Sequence, residues 1–160
     1  MTIFPILSET TQSRSDNRGS LDVLYENQDL ILKRSFSKKG VFRGMHLQRA
    51  PYEQTKLIRI INGRIIDFIV KPDGNNIIHW REIDASTDWV KIGPEFAHGF
   101  YALEDTIFEY ICHGAYNEQA EQAFSILDFL TNHLGIHAPL LSEKDHAATP
   151  LAVTPSVEKS

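Results

Sequence analysis

Two histidines in this chain stand where they could move a proton. His46 lies in the stretch Gly40-Val41-Phe42-Arg43-Gly44-Met45-His46-Leu47-Gln48. If that stretch is a β-strand, His46 and Gln48 share one face, because side chains alternate with a period of two. In a barrel that face points into the hollow. An imidazole beside an amide is costly to bury there unless both find partners. The second histidine, His98, follows a turn in Gly93-Pro94-Glu95-Phe96-Ala97-His98-Gly99-Phe100, on a strand that could line the same hollow. Taken singly, each is as well explained as a hydrogen-bonded core residue or a surface residue. Their company is what suggests chemistry.

Lys56 opens the strand Lys56-Leu57-Ile58-Arg59-Ile60-Ile61. Lys56 and Arg59 fall on opposite faces of it, so at most one points inward. Asp67 interrupts the apolar run Ile65-Ile66-Asp67-Phe68-Ile69, either as an outward residue or as the buried partner of a cation. Tyr110 and Tyr116 carry hydroxyls that need partners if buried. Ser142-Glu143-Lys144-Asp145 reads as a helix start, with a serine and an acid three residues later forming a capping box.

The chain that has to position these groups has 160 residues, 42% of them hydrophobic and 23% charged. That describes one soluble globular domain, able to bury a core without disulfide or metal staples. The single cysteine, Cys112, allows no intrachain disulfide and fits a reducing compartment. No apolar run is long enough to span a bilayer, and Met1-Thr2-Ile3-Phe4-Pro5 lacks the basic start of a secretory signal. The expected location is the cytoplasm, with no membrane partner. A net charge of −5 without a basic stripe argues against nucleic acid. It does not exclude an anionic ligand, which local arginines and lysines can hold against the global field.

Short runs rich in β-branched, aromatic and aliphatic residues recur at 21–25, 30–33, 57–61, 65–70, 77–83, 89–92, 107–112 and 124–129. Turn signals separate them, among them Pro72-Asp73-Gly74-Asn75 and Gly93-Pro94. Asn62-Gly63 suits a two-residue type I′ turn and predicts a hairpin. One short helix is expected near 127–134. This spacing argues for an all-β sandwich or barrel. Residues 8–15 read as an irregular lead-in. Residues 147–160 are small, polar and proline-punctuated and read as a loose tail.

Together these pieces resemble one family, the cupin-fold dTDP-4-dehydrorhamnose 3,5-epimerases. The matching stretches are Asp16-Asn17-Arg18-Gly19, the run from Ser37 through Gln48, Gln54-Thr55-Lys56-Leu57-Ile58-Arg59, Phe96-Ala97-His98-Gly99-Phe100, the Tyr110 and Tyr116 pair, and Ser142-Glu143-Lys144-Asp145, in the family's order. The resemblance implies a jelly-roll barrel (a double-stranded β-helix) with short peripheral helices, filling residues 1–146 as one domain. It implies an isomerase that inverts C3, C5 or both in a nucleotide-linked 4-keto-6-deoxyhexose. Such a reaction needs neither metal nor redox cofactor and serves deoxysugar supply for polysaccharide. It further implies a homodimer that exchanges N-terminal strands.

The resemblance also implies roles. His46 would be the general base, oriented by Asp145, and Tyr110 the acid on the opposite face of the sugar. Lys56 would sit by the C4 oxygen, and His98, steadied by Asp67, would line the pocket beside it. Arg43, Gln48 and Tyr116 would contact sugar or diphosphate, and Arg18 would reach the nucleotide in the partner's barrel. The chain departs from the pattern in the order Gly93-Pro94-Glu95, in lacking a tryptophan near 124–128, and at four further positions. Leu21 and Val23 stand where the family has a Phe and a Glu that help hold the nucleobase, and Ile31 and Lys33 replace a Gln and an Asn. Tyr110 meets the family's acid only across a one-residue gap; without the gap Ile111 takes that place. Three other readings use the same residues. A metal cupin would use His46, Glu53 and His98, although Gln48 stands where a second histidine belongs. A 3,4-ketoisomerase would carry paired histidines where this chain has His46 and Gln48. A sugar-binding cupin without catalysis would need no acid and base.

Overall fold

A computed structural model describes residues 12–157. The N-terminal Met1-Thr2-Ile3-Phe4-Pro5, the first part of the lead-in and the last three residues of the chain lie outside the described residues. The strands are β1 (Gln12–Asp16), β2 (Gly19–Glu26), β3 (Leu30–Ser37), β4 (Phe42–Gln48), β5 (Thr55–Asn62), β6 (Arg64–Val70), β7 (Ile77–Asp84), β8 (Val90–Ile92), β9 (Ala97–Ala102), β10 (Thr106–His113), β11 (Glu121–Ser125), β12 (Thr149–Pro150) and β13 (Thr154–Pro155). Two short helices, α1 (Leu127–Leu134) and α2 (Glu143–His146), lie between β11 and β12. One sheet runs β1-β2-β3-β10-β5-β8 and the other β12-β11-β4-β9-β6-β7-β13. The two curl around a hollow, the jelly-roll barrel expected from the sequence.

Several local expectations change. Asn62-Gly63 does not close a hairpin: β5 pairs with β10 and β8, whereas β6 pairs with β7 and β9. The turn instead carries the chain from one sheet to the other. Gly63, at φ +90°, is needed there because a Cβ would meet the Asp105 carbonyl oxygen at 2.4 Å. The lead-in is not irregular from Gln12 onward, since β1 pairs antiparallel with β2 through the turn at Asn17 and Arg18. The strand expected to run to residue 129 ends at Ser125, and α1 takes over at Leu127. The tail is ordered through residue 157: β12 pairs with β11 and β13 with β7. Leu151 and Val153 pack on the core between these pairs. Two well-placed apolar side chains outweigh a polar composition.

The central strands β6 and β9 of the seven-stranded sheet are buried on both faces, which explains their near-continuous apolar runs. Along β6, Ile65 and Ile69 belong to the cluster inside the barrel, while Phe68 and Val70 pack outside against Phe129 and Leu130 of α1. Asp67 shares the inner face with Ile65 and Ile69. The six-stranded sheet buries only its inner face. On its outer face Glu109 accepts from Arg34 at 2.6 Å and from Arg59 at 2.9 Å, and Arg59 lies 4.7 Å from the centre of the Trp89 ring.

One irregularity matters for the site. The register of β4 against β9 slips between Arg43 and His46. Strict alternation would put residues three apart on opposite faces. The bulge turns both Arg43 and His46 inward, and leaves Phe42 and Met45 together in the outer core. Here the two strands almost touch: a Cβ on Gly44, at φ +119°, would sit 2.5 Å from the Gly99 Cα. We predict that Gly44→Ala lowers the unfolding free energy on the order of 3 kcal/mol. Urea denaturation of the variant checks this, and an unchanged midpoint would show that the bulge tolerates a side chain.

Candidate active site

Strand register selects the side chains that reach the hollow. Across β2, β3, β10 and β5 the residues Val23, Lys33, Tyr110 and Ile58 lie side by side. The next row brings Ile31, Cys112 and Lys56 together. On the other sheet His46 of β4 sits opposite His98 of β9. The resulting cavity has a volume of about 520 Å³ and is lined by His46, Lys56, Tyr110, His98, Arg43 and Arg18, among others. The imidazole of His46 enters from one sheet, and Lys56 and Tyr110 enter from the facing one. Alternation along β10 puts Tyr110 inside and Ile111 on the Glu109 side, so the inward side chain is the phenol. Lys56 likewise points inward and Arg59 outward.

Each histidine is bound to its own carboxylate. His46 Nε2 lies 2.6 Å from Asp145 Oδ1, and Asp145 Oδ2 accepts from the Gly44 N–H at 3.2 Å. Burial opposes ionisation of Asp145, which is 2% exposed, but the His46 hydrogen bond and the Gly44 N–H outweigh it and hold the carboxyl below its ordinary range. A carboxylate only accepts, so the Nε2 facing Asp145 carries a proton. Nδ1 lies 3.6 Å from Glu121 Oε1. Only the serine half of the expected capping box forms: Ser142 Oγ accepts from the Asp145 N–H at 3.0 Å and caps the one-turn helix α2, while the Asp145 carboxylate goes to His46 and Gly44. His98 Nε2 meets Asp67 Oδ1 at 2.6 Å, both side chains being buried.

Lys56 is drawn down in pKa by burial. Its Nζ donates to the His46 carbonyl oxygen at 3.4 Å and has no carboxylate partner among the described residues. Tyr110 is pushed well above its ordinary value by burial, so it is protonated at neutral pH. Its hydroxyl makes no hydrogen bond among the described residues, which leaves it free to donate to a ligand.

The remaining expected residues divide. Arg43 lines the cavity, with Nε donating to Ser37 Oγ at 2.8 Å. Arg18 sits in the β1–β2 turn rather than on a strand, lines the cavity of its own chain and pairs with Asp16 at 2.7 Å. The Tyr116 ring lines the cavity while its hydroxyl donates to Glu121 at 2.9 Å. Gln48 shares the inward face with His46 but not the cavity wall: it is buried, and its Oε1 accepts from the Asn117 N–H at 3.1 Å. Several lining residues were given no role by the sequence, among them Arg14, Glu26, Glu121, Lys144, which donates to Glu121, and Lys33. Lys144 lies inside a motif already singled out; nothing in the pattern around Glu121 marks it. Among the described residues no three His, Cys, Asp or Glu side chains converge to hold a metal ion, and no helix is long and apolar enough to cross a membrane.

The cavity's charge opposes that of the chain. Six cationic side chains, Arg14, Arg18, Lys33, Arg43, Lys56 and Lys144, face it against two carboxylates, Glu26 and Glu121. Such a wall favours an anionic ligand in spite of the net charge of −5. Comparison with known proteins agrees with the resemblance noted in the sequence. The sequence profile of the dTDP-4-dehydrorhamnose 3,5-epimerase family matches residues 6–152.

The chain belongs to this family. A dTDP-4-dehydrorhamnose 3,5-epimerase from Shigella flexneri is 34% identical over 120 residues, covering 69% of this chain and 65% of that relative. The chain thus spans slightly less than two thirds of that relative's length. Among solved structures, the dTDP-4-dehydrorhamnose 3,5-epimerase of Sulfolobus tokodaii is 30% identical, with a TM-score of 0.64 over 88% of this chain and 87% of that one. A Legionella pneumophila dTDP-6-deoxy-D-glucose-3,5-epimerase, solved in complex with dTDP-4-keto-L-rhamnose, is 27% identical, with a TM-score of 0.61 over 87% of this chain and 84% of that one.

The depressed pKa of Asp145 has a signed consequence. Its stabilising effect is fully present above the unfolded carboxyl value of about 3.9 and is lost as pH falls through the lower folded value. Asp145→Asn is expected to lose about 2 kcal/mol at pH 7. The gap between it and the wild type should close below about pH 4. Denaturation at several pH values checks this; a gap that widens on acidification would contradict the pairing.

Proposed function

We propose that the protein is an epimerase that inverts C3, C5 or both in a nucleotide-linked 4-keto-6-deoxyhexose, with dTDP as the nucleotide of the family. One observation carries the reading: an imidazole, an ammonium and a protonated phenol line a single cavity, the imidazole from one sheet and the other two from the facing sheet. A carbon beside a ketone is acidic because its carbanion delocalises onto the carbonyl oxygen. Inversion takes the proton from one face of the ring and returns one to the other.

His46 Nδ1 is the base, with Asp145 fixing its tautomer and stabilising the imidazolium once the proton has moved. The electron pair of the broken C–H bond enters the C4 carbonyl, and the enolate oxygen gathers negative charge beside the Lys56 ammonium. A preorganised cation counts most there, where burial excludes water. Tyr110 delivers a proton to the opposite face and is reprotonated from solvent, to which the His46 imidazolium gives up the proton it took. The pair His98 and Asp67 borders the keto group, and Arg43, Arg18 and the Tyr116 ring take the remaining sugar and diphosphate. Gln48 acts by holding Asn117 and the turn that follows it. No electron leaves the substrate in this sequence of steps, so the chemistry asks for no redox cofactor, and the substrate's own ketone supplies the activation.

We further propose that the protein works as a homodimer joined through the six-stranded sheet, with β1 kept on β2 of its own chain. Strand β1 is exposed along its whole length at the edge of that sheet. The outer face presents Phe36, Ile61 and Trp89 to solvent. An edge and an apolar face of this kind invite pairing with a second copy. Light scattering after gel filtration should give twice the chain mass; a monomer at micromolar concentration would count against the dimer.

Deuterium wash-in tests the chemistry. In heavy water the protein should exchange C3–H, C5–H or both of dTDP-4-keto-6-deoxyglucose, as read by NMR and mass spectrometry. His46→Asn should slow exchange by at least about 100-fold, the scale of a positioned general base. Lys56→Met should slow it by about 100- to 1,000-fold through loss of the enolate partner. Tyr110→Phe should spare exchange at C3 more than it spares inverted product. Exchange at the wild-type rate in His46→Asn would rule out the assigned base.

A further inference from the structure

Lys33 is a cation that the mechanism above does not use. It lies in the centre of β3, in register with Val23 on one side and Tyr110 on the other, and its side chain reaches the cavity. Its Nζ stands 5.5 Å from the centre of the Tyr110 ring and 5.3 Å from that of Tyr116. Two ring faces hold the ammonium in place without satisfying its three N–H donors. Among the described residues Lys33 forms no ion pair and no hydrogen bond, whereas Lys144 has Glu121 and Arg18 has Asp16. Leu21, Val23 and Ile31 line the same part of the wall. A half-buried ammonium with idle donors, set among apolar and aromatic surfaces, is complementary to a ligand oxygen that only accepts.

We propose that Lys33 is a specificity-determining residue that binds an acceptor oxygen of the ligand's nucleotide part, either a phosphoryl oxygen or a base carbonyl. This rests on the reading of the cavity as a nucleotide-sugar site. The sugar already has its partners in His46, Lys56 and Tyr110. A donor-only group on the Tyr116 side therefore serves the portion of the ligand beyond the sugar. Both candidate oxygens offer lone pairs and no proton, and a lysine meets either as a point charge.

Isothermal titration separates the two. Wild type, Lys33→Met and Lys33→Arg are titrated with inorganic pyrophosphate and with the nucleosides and nucleoside diphosphates of thymine, uracil, cytosine and guanine. For the diphosphate that binds best, Lys33→Met should weaken affinity at least about tenfold, the loss of one charged hydrogen bond, while Lys33→Arg keeps most of it. An equal loss for pyrophosphate with no loss for the nucleoside identifies a phosphoryl oxygen. The reverse identifies a base carbonyl. Unchanged diphosphate affinity in Lys33→Met overturns the proposal. So does uniform weakening of every ligand, the mark of a damaged pocket; Lys33→Gln and thermal melts accompany the series to expose such damage. A wild-type chain that binds none of the ligands overturns it too. Binding that depends on Lys33 in a chain that exchanges no deuterium would sink the epimerase reading alone.

Discussion

The hydrogen bond between Asp145 and His46 ties together the parts of this molecule that matter for its chemistry. It joins residues 99 positions apart in sequence, at 2.6 Å. The carboxylate is buried, and an ionised group in that position persists only where donors meet it. Those donors are the imidazole and the Gly44 N–H, both on the bulged segment of β4. The bulge itself depends on the absence of side chains at Gly44 and Gly99. Backbone shape, the orientation of the His46 imidazole and the seating of α2 thus meet in one arrangement.

The second pair, His98 with Asp67, is built differently. Its two members sit on adjacent strands, β9 and β6, and are enclosed by the barrel. The cavity is therefore bordered by one imidazole held entirely within the sheets and another whose partner arrives from outside them. The division suits the proposed roles. A residue that shapes the pocket gains from a rigid frame, whereas a base needs one nitrogen fixed and the other open to the ligand. Burial tunes the rest: it keeps the Tyr110 phenol protonated and draws the Lys56 pKa down, a cation placed where negative charge is to appear.

How much of this was legible in the sequence follows from range. The run from Ile65 to Ile69 marked Asp67 as either an outward carboxylate or a buried one, and the structure takes the second; Ser142 marked the start of α2. These are local signals, and both carry into three dimensions. The hairpin expected at Asn62-Gly63 failed because a positive φ fits a corner between sheets as well as a tight turn, and pairing is decided by strands far away in sequence. The C-terminal segment was hidden by its composition, since it is held by strand pairing and by two apolar side chains, Leu151 and Val153. Counting by twos correctly gave His46 and Gln48 a common face, but it could not foresee the bulge that adds Arg43, or that Gln48 is spent on the Asn117 backbone. Glu121 was invisible because its relevance comes from three neighbours, His46, Tyr116 and Lys144, that no short pattern links to it.

Carrying Asp145, the partner of the proposed base, on a single helical turn makes the His46–Asp145 pair separable from the barrel. Helix α2 is four residues long and is fastened by the Ser142 cap, by Asp145 itself and by the Lys144–Glu121 pair. The strands that enclose the hollow do not depend on it for their pairing. On warming, the short arm can detach while both sheets stay intact. Turnover would then fade at a temperature where the bulk of the molecule still looks native, and would return on cooling without refolding.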